Sequence, residues 1–253
     1  MRYLWLIFVA LMAWIWLAGC AQAPATAQKS MAALPFGTTW QPVAPHIAVR
    51  SLTWNAASGA TPVAVVRADI AHCMLKVVTA SGSAGTQAET VCPAHGAAIN
   101  AGFFDEQMQP IGLLIAAGKR LKPQRKDDGW GMFLWRPGHA QILTGTARVP
   151  AATTQAVQCK PRLVIAGQVP TFKPQSATRR SAIGLDGHGH LYLAATDGAL
   201  TLEEWAACLH DGLGCPNALN LDGGPSTQLA LRGKVTYSMT GAEVPVFLTV
   251  AGK

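Results

Sequence analysis

The chain has 253 residues, of which 50% are hydrophobic and 13% are charged, and its formal net charge is +7. This composition excludes a disordered chain, and the length suffices for a domain with a hydrophobic core. The basic residues are scattered singly, apart from Arg179 and Arg180. Without a basic stripe or a basic helix, the charge does not indicate a nucleic-acid partner, although it is compatible with an anionic substrate.

The N-terminal segment has the features of an export signal. An unbroken apolar run from Tyr3 to Ala18 follows Arg2 and ends in Leu-Ala-Gly-Cys at residues 17–20, which is similar to a bacterial lipobox. The run is too short for a comfortable membrane span. We therefore expect a lipoprotein signal peptide over residues 1–19 and a lipid on Cys20, with an uncleaved signal anchor as the alternative.

The residue after this cysteine bears on localisation. It is Ala21 and not Asp, so lipoprotein sorting rules imply an envelope lipoprotein in the outer membrane that faces the periplasm. Residues 20–33 are rich in Ala, Gln, Thr and Pro and have no periodic apolar face, which predicts a flexible tether. The remaining residues, 34–253, are expected to form one globular domain.

The other cysteines are odd in number, so at least one thiol is unpaired in an oxidising compartment. They are Cys73, Cys92, Cys159, Cys208 and Cys215. Cys208 and Cys215 are close enough in sequence for a disulfide between a helix end and the next loop, and Cys73 with Cys92 is a second candidate pair. No Cys-x-x-Cys is present, and His46, His72, His95 and His210 are isolated in sequence, so the spacing of these residues predicts no zinc site.

Short Val-rich or alternating segments predict strands along most of the domain. These segments are residues 62–69, 74–80, 97–100, 111–116, 130–135, 162–165, 181–185, 191–195, 218–221, 227–231 and 244–250. One helix is predicted, from its cap at Thr201 to near Gly212, with two glutamates in its first turn. Because no regular βαβ alternation occurs, we expect a single α+β domain on a mixed, largely antiparallel β-sheet with a few helices.

Two segments carry polar residues from a strand into a glycine turn, which is a rigid place from which to present side chains. They are residues 100–105 (Asn-Ala-Gly-Phe-Phe-Asp) and 220–227 (Asn-Leu-Asp-Gly-Gly-Pro-Ser-Thr). Gly223 and Gly224 let the backbone approach a ligand closely, and their N–H groups could cradle an oxyanion. The alternative is that the second segment is only a hairpin and that Asn100 satisfies a buried backbone group.

Other polar clusters are weaker candidates. Residues 186–190 (Asp-Gly-His-Gly-His) look like a metal cluster, but they join two predicted strands and are expected to form a hairpin turn. A serine hydrolase centred on Ser226 is excluded because no Gly-x-Ser-x-Gly motif surrounds it. A divalent cation at Asp222 or Asp105 stays open, and no other cofactor is indicated.

The order of several motifs resembles the phosphodiester glycosidase family, in particular its bacterial branch, which is related to the lysosomal enzyme that uncovers phosphorylated mannose by removing N-acetylglucosamine. The likeness extends over roughly residues 64–250. It is carried by residues 100–105, 110–115, 118–119, 161–164, 179–184 and 219–227. Two departures are Ala101 and Pro225, where many members have glycine, and they bear on the substrate more than on the fold.

The resemblance implies hydrolysis of the bond between a sugar C1 and a phosphodiester, such as a GlcNAc-1-phosphodiester. It implies Asp222 as nucleophile or base, Asp105 as its partner or as a turn residue, and Arg180 as the phosphate clamp. Contacts with the sugar or phosphate are implied for Asn100, Gly102, Asn220, Gly223, Gly224, Ser226 and Thr227. Two alternatives stay open: a non-catalytic lipoprotein that binds envelope glycan with the same pocket, and a hydrolase acting on another anionic linkage.

Overall fold

The computed structural model describes residues 34–80 and 84–253. Within these residues the strands, numbered in chain order, are β1 (Gln41–Ala44), β2 (Ile47–Ala56), β3 (Gly59–Asp69), β4 (Cys73–Thr79), β5 (Gly96–Asn100), β6 (Leu114–Ala116), β7 (Lys119–Lys122), β8 (Gly131–Arg136), β9 (His139–Thr144), β10 (Gln155–Cys159), β11 (Arg162–Val164), β12 (Thr178–Leu185), β13 (His190–Leu200), β14 (Asn217–Asn220), β15 (Leu229–Arg232), β16 (Tyr237–Met239) and β17 (Val246–Gly252). The predicted signal peptide, Cys20 and the tether lie outside the described residues.

The strands form three sheets. The large sheet has seven strands in the order β1-β2-β3-β13-β12-β14-β11, and two five-stranded sheets have the orders β7-β6-β10-β8-β9 and β16-β15-β5-β17-β4. Every strand pairing among the described residues is antiparallel. The prediction of a single α+β domain with a largely antiparallel sheet is therefore confirmed.

Helices are few and short. They are α1 (Ala88–Val91), α2 (Leu202–Ala207), which continues into a π-helical turn over Cys208–Gly212, and a 3-10 helix over Gly224–Ser226. The predicted capping residue begins α2: the Thr201 hydroxyl accepts the Glu204 N–H at 3.2 Å, and the Glu204 carboxylate accepts the Thr201 N–H at 2.8 Å. This reciprocal pair satisfies two N–H groups that a helix start otherwise leaves free. No helix in the described part of the chain has the length and apolar character needed to cross a membrane.

The core lies between the sheets. Val49 and Leu193 of the large sheet pack in one cluster with Ile99 and Leu248 of one small sheet and Phe133 of the other. A second cluster, which includes Val65, Trp205 and Leu209, fills the space between the opposite face of the large sheet and α2. Because the central strands of the large sheet are covered on both faces, β3, β12 and β13 contain long apolar runs.

The sequence analysis missed β10 because buried polar residues hide its apolar pattern. β10 is buried throughout although it contains Gln155 and Gln158. The Gln158 Oε1 accepts the N–H groups of Leu113 at 2.8 Å and Arg125 at 2.9 Å, so this amide replaces missing backbone partners. A buried polar side chain costs little when it is hydrogen-bonded in this way.

The predicted disulfide between Cys208 and Cys215 is corrected by the structure, in which both are free thiols. Both are fully buried in the apolar cluster beneath α2. Burial raises the pKa of each thiol to about 12, so the thiolate that begins disulfide exchange is scarcely populated. Cys73 and Cys92 are also free and lie in different core clusters, which rules out the second pairing in this fold.

Candidate active site

A cleft of about 720 Å³ opens at one edge of the large sheet and brings together five predicted site residues. These are Arg180, Asn220, Asp222, Gly223 and Gly224. They meet because β12 and β14 are antiparallel neighbours, with Ala182 opposite Asn220. The start of β12 and the end of β14 therefore lie at the same edge, and each delivers polar residues there.

Asp222 is partly buried at the base of this cleft. Its N–H donates to the Ala101 carbonyl at 3.0 Å, and its Oδ1 accepts the Gly223 N–H at 3.0 Å. Burial raises the pKa of the Asp222 carboxyl above its usual value of 3.8, while hydrogen bonds from the Ser226 hydroxyl and the Gly223 N–H oppose this rise. No described Lys, Arg or His forms an ion pair with it. The group thus has the character of a poised base or nucleophile.

Arg180 supplies positive charge to the same cleft from β12. Its Nε donates to the Leu200 carbonyl at 2.9 Å and its Nη2 to the Ser176 carbonyl at 3.3 Å. Burial lowers the pKa of the guanidinium, and the exposed Glu203 opposes this change. The two carbonyls hold the guanidinium plane in place and leave further N–H donors for a ligand in the cleft.

Two lysines that the sequence analysis did not select also line the cleft. They are Lys160, directly after β10, and Lys173, in the loop before β12. The Lys160 Nζ lies 5.4 Å from the ring centroid of Trp130, over its face. Single exposed lysines in loops carry no sequence pattern, so only the fold reveals their convergence with Arg180.

The apolar part of the lining comes from Phe103, Pro161, Phe172 and Leu202. Phe172 and Leu202 are buried, whereas Phe103 is half-buried and packs edge-on against Trp130 at 5.7 Å between ring centroids. The cleft therefore offers both apolar surface and charge. Such a mixture suits a ligand with a ring and an anionic group.

Asn100 does not line the cleft and is fully buried. Its Nδ2 donates to the Asp222 carbonyl at 2.6 Å, and its Oδ1 accepts the Ser181 hydroxyl at 2.7 Å and the Gln228 N–H at 3.1 Å. The predicted contact with a substrate is therefore revised: Asn100 positions the backbone of Asp222 from behind. This matches the alternative in which it satisfies a buried backbone group.

Asp105 also lies outside the cleft lining, and it is exposed. Its Oδ1 accepts the N–H groups of Gln107 at 3.0 Å and Gln109 at 2.8 Å, which closes the turn after β5. Of the two roles that the sequence left open, the structure supports the turn. Among the described residues, Asp222 is then the one carboxylate of the cleft.

The glycine turn after Asp222 has a steric reason for its composition. A Cβ on Gly223 would lie 3.0 Å from the Arg179 carbonyl oxygen, and Gly224 has a φ of +60°. Ser226 and Thr227 are buried behind the turn and do not line the cleft. Gly102 is likewise buried beside it, so the predicted ligand contacts of these three residues are not direct ones.

Asn220 keeps its predicted place in the lining and is almost fully buried. Its Nδ2 donates to the carbonyls of Lys160 at 3.0 Å and Leu221 at 2.8 Å, while its Oδ1 has no partner among the described residues.

The residues present do not suit a divalent cation in the cleft. One carboxylate among three cationic side chains is a poor donor set, because such ions prefer several oxygen ligands.

The segment from Asp186 to His190 forms the predicted hairpin turn: the Asp186 Oδ1 accepts the N–H groups of His188 at 2.8 Å and His190 at 2.9 Å.

Fold and cleft together define a β-rich domain with a cationic cleft built around one partly buried carboxylate. The chain belongs to the phosphodiester glycosidase family, whose profile matches residues 95–251. That range contains every residue of the cleft lining named above. The resemblance drawn from the ordered motifs is thereby confirmed.

Solved structures support the same fold. The catalytic domain of zebrafish N-acetylglucosamine-1-phosphodiester alpha-N-acetylglucosaminidase, described as auto-inhibited by its pro-peptide, superimposes with a TM-score of 0.65 at 18% identity, covering 85% of this chain and 88% of that one. A hypothetical protein from Synechocystis gives 0.53 at 20% identity over 82% of this chain and 62% of its own. A putative exported protein from Burkholderia pseudomallei gives 0.56 at 13% identity over 77% and 74%.

A curated relative is the uncharacterised protein YigE of Escherichia coli K12, which is 29% identical over 138 residues. The match covers 50% of this chain and 54% of that protein, so the chain spans about half the length of this relative.

Proposed function

We propose that the chain is a hydrolase that cleaves the bond between C1 of a sugar and a phosphodiester, such as a GlcNAc-1-phosphodiester, in the bacterial cell envelope. The observation that carries this proposal is the pairing of one partly buried carboxylate, Asp222, with three cations, Arg180, Lys160 and Lys173, in a single cleft.

The number of carboxylates bears on the leaving group. Glycosidases that expel a sugar alcohol commonly use two carboxylic groups, one of which protonates the departing oxygen. A phosphate oxygen is a far weaker base than an alkoxide, so it leaves without a proton. A cleft with one carboxylate fits a substrate of this kind, and the revised position of Asp105 supports it.

The reaction assigns a role to each side of the cleft. Asp222 either attacks C1 or takes a proton from the water that does so, and the C1–O bond breaks with its electron pair passing to the phosphate. Water supplies the oxygen of the free sugar, and the phosphate departs as a monoester. Arg180 and the two lysines offset the charge that grows on the phosphate, which is where fixed positive groups accelerate a reaction most.

The lipid anchor belongs to the same proposal. Acylation of Cys20 would hold the domain by a tether to the outer membrane, facing the periplasm, where envelope glycans are the available substrates. A second candidate is a non-catalytic lipoprotein that binds envelope glycan through the same cleft, because binding alone would use the same cations.

The test is turnover of a GlcNAc-1-phosphodiester by the wild type, Asp222→Asn and Asp105→Asn. We expect the wild type to release free sugar, Asp222→Asn to lose at least about a hundredfold in rate, and Asp105→Asn to stay close to wild type. Binding of the sugar phosphate without release by the wild type would favour the binding protein. A panel of substrates that differ only in the linkage at C1 would distinguish hydrolysis of a phosphodiester from hydrolysis of another anionic linkage.

A further inference from the structure

We propose that His46, Asp69 and His72 form a binding site for a divalent first-row transition metal ion, of the kind that takes imidazole and carboxylate ligands. Asp69 and His72 are three positions apart, but His46 lies 23 positions before Asp69, so the sequence spacing matches no metal motif. The fold brings one ligand atom of each within 4.8 Å of the others.

The distances among these atoms are close to those of a coordinated ion. The His72 Nδ1 lies 2.7 Å and the His46 Nδ1 4.0 Å from the same Asp69 oxygen, Oδ2. Ligand atoms around a tetrahedral zinc are about 3.3 Å apart, given bonds of about 2.0–2.2 Å. The two distances to Asp69 differ from this value by less than about 1 Å, and the histidine ligand atoms lie within 4.8 Å of each other, so small movements of these partly exposed side chains would seat the ion.

The imidazoles are already oriented together. The rings of His46 and His72 stack with their centroids 4.6 Å apart and their planes 19° from parallel. Stacking places the Nδ1 atoms of both rings on the side of the same carboxylate. Two imidazoles and one carboxylate are a common ligand set for zinc and similar ions, and they leave a further position for water.

The backbone holds the three residues in place independently of any ion. The Asp69 N–H donates to the His46 carbonyl at 3.0 Å, and the His72 N–H donates to the Asp69 carbonyl at 3.2 Å. The second oxygen of Asp69, Oδ1, accepts the Ala71 N–H at 2.8 Å, which leaves Oδ2 turned to the histidines. Outer hydrogen bonds of this type fix the orientation of metal ligands.

The neighbouring groups define the limits of the site. His190 lies opposite Asp69 on β13, but its Nδ1 is bonded to the Asp186 Oδ2 at 2.8 Å, so we do not count it as a ligand. Arg67 lines a pocket together with His46 and Asp69, and its guanidinium lies 4.4 Å from the ring centroid of Trp40, over the ring face. Cys73 is buried in the core and is not one of the ligands.

Because of its location, such an ion would stabilise the packing of two sheets. His46 lies in the turn between β1 and β2 at the edge of the large sheet, whereas His72 directly precedes β4 of a small sheet. An ion shared by the two would add a side-chain link between the sheets beside the backbone hydrogen bonds given above. Because it binds the folded chain, it would raise the melting temperature as its concentration increases.

The test uses the full chain in detergent, without a polyhistidine tag, stripped of metal by a chelator and titrated with Zn²⁺ in a calorimeter. We expect one ion per chain, with at least about tenfold weaker binding in His72→Ala and in Asp69→Asn. The matched control is His188→Ala, which removes another exposed imidazole from the nearby hairpin and should bind as the wild type does. Circular dichroism shows that each variant is folded.

A spectroscopic readout distinguishes a built site from scattered surface binding. With Cu²⁺ in place of Zn²⁺, the electron paramagnetic resonance spectrum should show coupling to two imidazole nitrogens in the wild type and to one in His72→Ala. Equal affinities in the wild type, His72→Ala and His188→Ala, or no one-to-one binding, would overturn the proposal. None of these measurements depends on turnover, so the outcome is separate from that of the proposed function.

Discussion

Asn100 and Asp222, 122 positions apart in the sequence, are joined by a hydrogen bond of 2.6 Å from the Asn100 amide to the Asp222 carbonyl. The side-chain oxygen of Asn100 contacts two further segments of the chain. Its oxygen accepts the hydroxyl of Ser181 from the large sheet and the N–H of Gln228 from the segment before β15. The backbone of the cleft carboxylate is thus fixed by a fully buried side chain that a ligand does not touch.

Asn100→Ala tests this positioning role. The substitution leaves the Asp222 carbonyl, the Ser181 hydroxyl and the Gln228 N–H without their partner inside the core. Each unsatisfied buried group costs about 1–3 kcal/mol, so we expect a loss of at least about 2 kcal/mol in the free energy of unfolding, measured with urea. Asn55→Ala, at an exposed position of β2, is the control. Equal stability of the two variants would show that the network contributes little.

Asp222→Asn is expected to gain stability while it loses activity. Burial raises the pKa of Asp222 above 3.8 in the folded state, so its stabilising contribution is complete below pH 3.8 and is lost as the pH rises through the folded value. At neutral pH the wild type carries the cost of a buried charge that Asn lacks. The variant should therefore melt higher at neutral pH, with the difference vanishing below pH 3.8.

Asp105→Asn provides the comparison for this measurement, because Asn also closes the exposed turn after β5 and the carboxylate there is not buried. At neutral pH its melting temperature should equal that of the wild type. A gain in Asp105→Asn equal to that in Asp222→Asn would mean that the effect reflects net charge and not burial.

The same raised pKa predicts the acid limb of the activity profile. Asp222 must be ionised to act as base or nucleophile, so kcat/KM should fall as the pH drops through a midpoint that lies above 3.8. The profile of the free enzyme is measured with a substrate whose phosphodiester stays ionised over the whole range. A midpoint below 3.8 would argue against Asp222 as the titrating group.

Lys160 and Lys173 are expected to contribute to binding of the anion. Both are exposed, so replacing either with Ala should leave the melting temperature unchanged and lower kcat/KM roughly tenfold, through kcat as well as KM, because these lysines bind the anion and also offset the charge that grows on it. The loss should shrink at high salt, since mobile ions screen exposed charges. Lys119→Ala, on β7 and outside the cleft, is the matched control. An equal loss of kcat/KM in Lys119→Ala would mean that the effect arises from the net charge of the protein and not from contacts in the cleft.

The free thiols give a direct check on the absence of disulfides. Burial raises the pKa of Cys73 and Cys92 to about 11 and that of Cys208 and Cys215 to about 12. In the folded domain starting at residue 34, a thiol reagent at mildly alkaline pH should therefore react negligibly. After unfolding without reductant, all five cysteines described as free should react. Reaction of three cysteines instead of five would indicate that two of them form a disulfide.

Strong local signals were sufficient for part of the fold. The helix α2 was predictable because Thr201 and Glu204 form a capping box that is legible in four residues. β12 and β13 were predictable from runs of apolar residues that both faces of the large sheet require. β10 was not, because Gln155 and Gln158 interrupt its apolar pattern and are satisfied only by distant backbone groups.

The site was predictable in its centre and not at its margins. Asp222, Gly223 and Gly224 share one motif at a strand end, and they line the cleft together. The residues from Asn100 to Asp105 also share one motif, yet Asn100 turns inward and Asp105 turns to solvent, since a motif does not fix which side chain faces the cavity. Lys160 and Lys173 are brought in by tertiary contacts alone.

The excess of cations in the cleft has an effect after the reaction as well as before it. In the proposed reaction, cleavage at C1 would free a neutral sugar, whereas the phosphate would keep its charge and gain a second ionisable oxygen. Arg180, Lys160 and Lys173 then face a more highly charged group than the one they first bound. The phosphorylated product should leave last, and inorganic phosphate should compete with the substrate, so turnover in a phosphate-rich medium would be governed by product escape.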